Sequence, residues 1–127
     1  MKKEGFFCAS KHHKTEKFLE VAILVVLFDK ENYGYGISET LKEMGYEEES
    51  FNTSTLYRSL RRMEQQGLVT SDWRESHQGP RKRVYSIAEA GRVELENWIQ
   101  VLKRRRNMID GVIHRFDGLA RSMKEGE

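Results

Sequence analysis

An apolar stripe in the last third of the chain constrains the fold most. From Glu89 onward, large apolar residues recur every seven positions, which is typical of a helix with one apolar face. An uninterrupted helix of this kind would be about 50 Å long at 1.5 Å per residue, and a domain this small cannot cover it. Part of the stripe therefore needs a partner, and a second copy of the chain is the simplest one. The repeat comprises Leu95, Leu102, Ile109, Phe116 and Met123, with Trp98, Ile99, Val112 and Ile113 in the intervening turns.

Two helices are predicted in the first third of the chain. Thr15 can cap a helix through Glu16–Phe28, which is apolar around most of its circumference and so suits the centre of a core. After a turn, a shorter helix is expected over Gly34–Met44, ending at Gly45. The longest apolar run, Val21–Phe28, falls far short of the roughly 20 residues that span a bilayer. We therefore expect no membrane role.

A third helix is predicted over Asn52–Gln66, with Asn52 as its N-cap and Gly67 at its end. One face of this helix is apolar and marks its core side, through Leu56, Leu60 and Met63. The opposite face is rich in hydrogen-bond donors. It carries Ser54, Tyr57, Arg58, Arg61 and Gln65.

Alternating apolar and polar residues then predict two strands, Leu68–Glu75 and Lys82–Ile87, joined by a loop around Pro80. Three helices, two strands and a long helix follow one another in the order of a winged helix-turn-helix. The predicted fold is mainly α, with a small two-stranded β wing and a long C-terminal dimerisation helix.

Three regions follow from this order of elements. We expect an N-terminal arm over residues 1–14, a winged-helix DNA-binding domain over residues 15–88 and a dimerisation helix over residues 89–127. Glycine lowers helix propensity, so the pattern leaves open whether the last helix continues past Gly111.

Charge is distributed unevenly, although the formal net charge is only +2. From residue 31 to residue 50, six acids accompany one base, whereas from residue 52 to residue 83, seven bases accompany three acids. The second segment holds the third helix and the hairpin. A surface that binds a polyanion must be locally positive, and this segment meets that condition.

The third helix and the hairpin are therefore predicted to bind double-stranded DNA. Arginine, amide and hydroxyl groups on one helix face suit a major groove, and hydroxyls at the helix start suit a phosphate. An arginine-rich helix can also be merely a solvated surface, but the adjoining basic hairpin favours the DNA interpretation. The predicted contacts are Thr53, Ser54, Thr55, Tyr57, Arg58, Arg61, Arg62 and Gln65 on the helix and Gln78, Gly79, Arg81, Lys82 and Arg83 in the hairpin.

Several short motifs together resemble the PadR family of bacterial transcriptional regulators. They are Tyr33–Ile37, Thr55–Tyr57, Gly67–Val69, Trp73, Gly79–Ile87 and Glu89–Gly91, within roughly Glu16–Leu102. The resemblance implies a dimeric winged-helix repressor whose C-terminal helix packs on the partner's first helix. The dimer interface that it implies comprises Phe18, Leu19, Ala22, Leu95, Trp98, Ile99, Leu102, Ile109, Val112, Ile113 and Phe116.

The chain also departs from the family pattern. Arg58 stands where the family often has proline, and Ala88 replaces a usual threonine N-cap, which should weaken the start of the last helix by about 1 kcal/mol. Multidrug-sensing relatives carry a tryptophan where this chain has Leu102, with Trp98 one turn earlier. Trp98 and Leu102 are therefore the candidate pocket for a small aromatic effector, and core packing is the alternative role for Trp98.

The cysteine and histidine residues predict no metal site, no cofactor site and no catalytic site. Cys8, His12 and His13 lack a second convergent pair of ligands, and the single cysteine cannot form an internal disulfide, as expected of a cytoplasmic protein. His77 and His114 have no nucleophile or carboxylate at a spacing that would complete a catalytic set. The alternative to DNA binding is therefore not an enzyme but a winged-helix module that binds an acidic protein partner.

Overall fold

A computed structural model describes residues 10–47, 51–77 and 79–126, with side chains from Lys17 onward. The predicted DNA contact Gln78 lies outside the described residues, as do Cys8 and the side chains of His12 and His13. The elements are α1 Ser10–Asp29, β1 Asn32–Tyr33, α2 Gly34–Glu43, α3 Thr53–Gln65, β2 Val69–Arg74, β3 Lys82–Ile87 and α4 Glu89–Glu125. Their order and the small antiparallel sheet are those of the winged helix-turn-helix that the sequence predicts.

Two boundaries differ from the prediction. Helix α1 begins at Ser10, five residues before the expected cap Thr15, so residues 10–14 of the predicted arm are helical. The sheet has three strands in the order β1-β3-β2, because Asn32 and Tyr33 pair with Tyr85 and Val84 of β3. A two-residue strand has no alternation to detect, which is why the sequence predicts only a turn there.

Helix α1 supplies the centre of the core, as its apolar circumference predicts. Leu19, Ile23, Leu24 and Leu27 are almost completely buried on it. Helices α2 and α3 add the predicted apolar faces. These are Ile37 and Leu41 on α2 and Leu56, Leu60 and Met63 on α3.

Both ends of α3 are closed by the residues that the sequence predicts. The Asn52 side-chain oxygen accepts a hydrogen bond from the Thr55 backbone N–H at 2.8 Å, which makes Asn52 the N-cap. At the other end Gly67 has φ of +80°, a conformation that favours glycine, and the chain turns directly into β2. The direction of α3 against the sheet is thus set at both ends.

The chain divides into two compact units, one ending at Leu95 and the other beginning at Glu96. Helix α4 continues through Gly111 and Gly118 without a break, which answers the question that the sequence left open. In the second unit the apolar stripe is solvent-exposed from Ile109 onward, with Phe116 67% and Val112 72% accessible. Of the helices that the structure describes, none contains a stretch long and apolar enough to cross a bilayer.

Candidate nucleic-acid interface

The outer face of α3 is exposed, as its periodicity predicts. Leu56, Leu60 and Met63 point into the core, and the donor-bearing side chains point away from it. The predicted contacts Thr53, Ser54, Tyr57, Arg58, Arg61 and Gln65 are exposed and Thr55 is half-buried. One helix face therefore presents two guanidiniums, an amide, a phenol and hydroxyls to solvent.

Arg62 does not belong to this face, contrary to the sequence prediction. Its Nε donates a hydrogen bond to Glu20 Oε2 at 2.8 Å, and its Nη2 donates to the same oxygen. Glu20 lies on α1 and is only 5% exposed, and Lys17 is its second cation, at 3.8 Å. A buried carboxylate needs a cationic partner, and the Arg62 guanidinium provides it by linking α3 to α1. Arg62 is therefore an ion-pair partner of the buried carboxylate and not a member of the exposed donor face.

The hairpin carries its cations on and beside β3. Arg81 and Lys82 are exposed, and the Lys82 ammonium lies 5.3 Å from the centre of the Tyr33 ring. Gly79 has φ of +86°, so this loop position favours glycine. The contact with Tyr33 places the Lys82 ammonium beside β1.

Arg83 joins the hairpin to α3. Its Nε donates to Ser71 Oγ at 2.9 Å, and Ser71 Oγ in turn donates to Glu64 Oε2 at 2.9 Å. The Arg83 guanidinium also lies 5.5 Å from the centre of the Trp73 ring. This network satisfies the Glu64 carboxylate and balances part of the charge of Arg83, a predicted DNA contact.

A concave space of about 490 Å³ lies among α2, α3 and the sheet, and we call it the aromatic cleft. Its lining combines five aromatic rings with three cations and one carboxylate. It consists of Tyr33, Gly34, Tyr35, Tyr57, Arg61, Glu64, Trp73, Lys82, Arg83 and Tyr85. The cleft thus brings Arg61 and Tyr57 of α3 together with Lys82 and Arg83 of the hairpin on one surface.

Four of the cleft aromatics were not among the predicted contacts. Tyr33 and Tyr35 flank Gly34 at the start of α2, and Trp73 and Tyr85 lie on paired strands. Burial raises the pKa of the Tyr85 phenol, while the nearby Arg83 charge lowers it. All four lie in motifs that carry the family resemblance, but no local pattern predicts that rings from such distant segments meet.

Tyr57 lies directly over Gly34. A Cβ at Gly34 would lie 2.2 Å from Tyr57 Oη and 2.6 Å from Cζ, far inside van der Waals contact. Only glycine therefore allows the Tyr57 ring its position across the start of α2. This close approach explains why a glycine stands between the two tyrosines.

One cation of the basic segment, Arg74, is engaged in an ion pair within the chain. Arg74 of β2 forms a two-bond ion pair with Glu31, with nitrogen to oxygen distances of 2.5 and 3.1 Å. The hydrogen bonds from Arg74 and its charge lower the pKa of the Glu31 carboxyl. This pair fastens the outer strand β2 to the segment before β1.

The residues predicted for the dimer interface fall into two groups. Leu19, Ala22 and Leu95 are buried within the single chain, which contradicts their assignment to a surface that meets a partner. They are core residues of the first unit, two of them on α1 and Leu95 at the start of α4. Ile109, Val112, Ile113 and Phe116 are exposed, as is Phe18, whereas Trp98, Ile99 and Leu102 are half-buried.

The residues predicted for an effector pocket, Trp98 and Leu102, lie one turn apart on α4, and a cation of the same helix lies near the first of them. The Arg105 guanidinium lies 5.8 Å from the centre of the Trp98 ring, two turns along the same helix. In the described part of the chain, no three His, Cys, Asp or Glu side chains are grouped to hold a metal ion.

Comparison with known proteins gives consistent matches. The model of the transcriptional regulator PadR-like family matches residues 23–97. The curated "Probable transcriptional regulator Rv1176c" of Mycobacterium tuberculosis is 38% identical over 82 residues, which cover 61% of this chain and 41% of that protein. The chain thus spans about two fifths of the length of this relative.

Solved structures repeat the architecture. A PadR-like transcription factor from Bacteroides fragilis superposes with a TM-score of 0.70 at 25% identity, covering 82% of this chain and 98% of that one. Bacillus subtilis PadR in complex with operator DNA gives a TM-score of 0.58 at 27% identity, over 65% of this chain and 46% of that one.

Proposed function

Because this chain belongs to the PadR-like family of transcriptional regulators, we propose that it is a homodimeric repressor that binds operator DNA through α3 and the β2–β3 hairpin. The observation that carries the proposal is the shared surface of the two basic elements. Arg61 of α3 and Lys82 of the hairpin line one cleft, so a single polyanion can contact both. Residues 15–88 would form the DNA-binding domain and residues 89–127 the dimerisation helix.

On this proposal, α3 reads a major groove. Arg58 and Arg61 would contact base edges or phosphates, and hydroxyls at the start of α3 would bind a phosphate oxygen. Lys82 and Arg81 would follow the backbone beside the groove. A protein that binds operator DNA would act in the bacterial cytoplasm, on the chromosome. That the B. subtilis relative was solved with operator DNA supports this partner by analogy.

Dimerisation would use the exposed stripe of α4. Val112, Phe116 and their neighbours leave a continuous apolar surface uncovered in the described chain, which is typical of an interaction site. Two recognition helices on a two-fold axis would then meet half-sites about one helical turn, roughly 34 Å, apart. The operator would be pseudo-palindromic, and release would follow the binding of a small aromatic effector.

The test is a salt series of DNA-binding titrations with a duplex selected from genomic fragments of the source organism. Arg58→Ala and Arg61→Ala should each weaken DNA binding. Each should also reduce the slope of log K against log salt concentration by about one. Arg121→Ala, an exposed arginine of α4, is the matched control and should change neither. Unchanged DNA affinity in both α3 variants would instead favour a winged-helix module that binds an acidic protein.

Dimerisation is tested separately by sedimentation. Phe116→Glu places a charge in the exposed stripe and should shift the protein to monomers. His114→Glu introduces the same residue on the opposite side of α4 and should leave the dimer intact. A wild-type protein that sediments as a monomer at every concentration would rule out the dimer.

A further inference from the structure

Glu64 is a carboxylate on a surface proposed to bind a polyanion. It lies on α3 one turn after Arg61, and its side chain is 33% exposed. It lines the aromatic cleft together with Arg61 and Lys82, two of the proposed DNA contacts. Its negative charge alone would repel phosphates and weaken DNA binding. A carboxylate at this place therefore needs a role that outweighs the repulsion.

The hydrogen bonds of Glu64 reach both strands of the hairpin. The Ser71 hydroxyl of β2 donates to Glu64 Oε2 at 2.9 Å, and the same hydroxyl oxygen accepts a hydrogen bond from Arg83 Nε of β3, also at 2.9 Å. Arg83 Nη2 donates to Glu64 Oε1 at 3.4 Å. One carboxylate of α3 thus holds a side chain from each strand. The hairpin is fastened to α3 by these side chains in addition to the turn between α3 and β2.

The same contacts set the direction of the Arg83 side chain. Arg83 pairs with Trp73 across the β2–β3 ladder, and its guanidinium lies 5.5 Å from the centre of that ring. The Tyr85 ring, two residues along β3, is 6.0 Å away. The guanidinium therefore lies against the rings of the sheet, with its charge partly balanced by Glu64. Among the described residues, Lys82 has no carboxylate partner, so its charge remains for a phosphate.

We propose that Glu64 is a positioning residue for DNA binding, which fixes the angle of the hairpin against α3 through Ser71 and Arg83. Arg83 then acts on DNA only through this network and contacts no phosphate. The proposal rests on the proposed function, because α3 and the hairpin must reach one duplex together. A hairpin that is already held in place loses little conformational freedom on binding, so DNA affinity is higher. Lys82 and Arg81 would be the hairpin cations that bind the DNA backbone.

Two glutamate variants separate this role from a simple effect of charge. Glu64→Gln and Glu75→Gln each remove one negative charge from the basic segment, and Glu75 is an exposed residue just after β2. On charge alone, both variants would bind the selected duplex somewhat more tightly than wild type. We expect this of Glu75→Gln only. Glu64→Gln should bind about tenfold more weakly, because the charge-assisted hydrogen bonds to the hairpin are lost.

Changes at Ser71 test the same link without altering charge. Ser71→Ala should weaken DNA binding in the same direction as Glu64→Gln, whereas Ser71→Thr retains the hydroxyl and should bind as wild type does. Circular dichroism and thermal denaturation verify that each variant is folded. A Glu64→Gln protein that binds DNA as tightly as Glu75→Gln would overturn the proposal, as would a Ser71→Ala protein with undiminished affinity.

The salt dependence distinguishes Arg83 from a phosphate contact. Lys82→Met should reduce the slope of log K against log salt concentration, since each neutralised phosphate contributes about 0.9 to that slope. Arg83→Met should lower the affinity and leave the slope unchanged, because it disturbs the hairpin without removing a phosphate contact. Equal reductions of slope in the two variants would show that Arg83 binds a phosphate and would refute its assignment to the network.

The fluorescence of Trp73 tests the network in the absence of DNA. Trp98→Phe leaves Trp73 as the only tryptophan in the chain. In this background Glu64→Gln should make the Trp73 ring more accessible to quenching by acrylamide, because Arg83 is released from it. Glu75→Gln should leave the quenching unchanged. Unchanged quenching in folded Glu64→Gln protein overturns the positioning role, whereas a wild type that shows this network but binds no DNA refutes the proposed function.

Discussion

The guanidinium of Arg62 donates to the buried carboxylate of Glu20, joining helix α3 to the core helix α1 across 42 residues of sequence. Glu20 is almost fully buried, whereas the Arg62 side chain is 36% exposed. Loss of the arginine therefore leaves a charge without its main partner inside the protein, while loss of the glutamate leaves a cation that water can reach.

We expect Arg62→Met to be the more destabilising of two single changes. Arg62→Met should lower the free energy of unfolding by about 2 kcal/mol, less than a fully buried pair would lose, because Arg62 is partly exposed and Lys17 remains near Glu20. Glu20→Leu should cost less, and the double variant should recover part of the loss. Denaturant titration measures all three. Arg61→Met, an exposed change on the same helix, is the control and should stay within about 0.5 kcal/mol of wild type. Equal losses in both single variants would show that burial of Glu20 does not govern the pair.

The contact between Gly34 and Tyr57 gives a second prediction. In Gly34→Ala the new methyl group must push the Tyr57 hydroxyl aside, because it would lie 2.2 Å from it. A side-chain end can move at little cost, so stability should change little while DNA affinity falls about tenfold with the loss of a positioned donor. Binding titrations and thermal denaturation separate the two effects.

The double variant identifies the cause. In a Tyr57→Ala background, Gly34→Ala should produce no further loss of DNA affinity, because the displaced ring is absent. Gly118→Ala is the matched control, since a Cβ there meets nothing within 4 Å. An additive loss in the double variant would mean that Gly34 acts through its backbone and not through Tyr57.

The sequence predicted the elements whose signals are local. The cap at Asn52, the donor-bearing face of α3 and the β2–β3 hairpin follow from periodicity and turn residues within short windows, and the structure has them at nearly the predicted bounds. The start of α1 was missed because threonine is a good N-cap residue but is also tolerated inside a helix, and Thr15 lies inside. Composition alone does not distinguish these two positions.

The features that the sequence did not predict depend on distant pairs. In the sequence, Glu20 and Arg62 look like two separate surface charges, because they meet only when α1 packs against α3. Arg62 was therefore counted among the exposed arginines of α3. The aromatic cleft likewise assembles Tyr33, Tyr57 and Trp73 from three elements, and no spacing rule connects them. Leu19 and Ala22 were assigned to a partner through the family resemblance, although the apolar circumference of α1 already predicts a helix buried in its own unit.

The start of α4 offers a stabilising change. The Ala88 carbonyl accepts a hydrogen bond from the Arg92 N–H at 3.0 Å, so Ala88 stands in the N-cap position without a side-chain acceptor. Ala88→Thr should raise the free energy of unfolding by about 1 kcal/mol by capping a free N–H group. Ala90→Thr, inside the same helix, is the control and should lower stability slightly through its poorer helix propensity. If both changes shift the denaturation midpoint equally, capping is not the cause.

The pair of Glu31 and Arg74 predicts a pH dependence. Hydrogen bonds from Arg74 lower the pKa of Glu31 in the folded protein, so folding favours the ionised carboxylate. The stabilisation is then present above the ordinary pKa near 4.5 and is lost as pH falls through the lower, folded value. Thermal denaturation of wild type and Glu31→Gln should differ at neutral pH and converge in acid. A difference that stays constant down to acid unfolding would contradict this assignment.

The phenol of Tyr46 predicts a loss of stability at alkaline pH. Its ring stacks on Phe18 with centroids 5.8 Å apart, and its hydroxyl donates to the Phe18 carbonyl at 3.3 Å. Burial raises the pKa of Tyr46 to about 12, above the ordinary value of 10.0, so the folded state favours the neutral phenol.

Stability should therefore be intact below pH 10 and decline as pH rises towards the folded pKa of about 12, because the unfolded chain releases the proton first. Melting temperatures of wild type and Tyr46→Phe, measured from pH 8 upward, should fall less steeply in the variant, which has nothing to ionise at this site. Tyr35→Phe removes a well-exposed phenol and serves as the control, with an alkaline slope like that of wild type. Parallel slopes for wild type and Tyr46→Phe would show that ionisation of another group, and not of the tyrosine between Phe18 and Phe51, sets the alkaline limit.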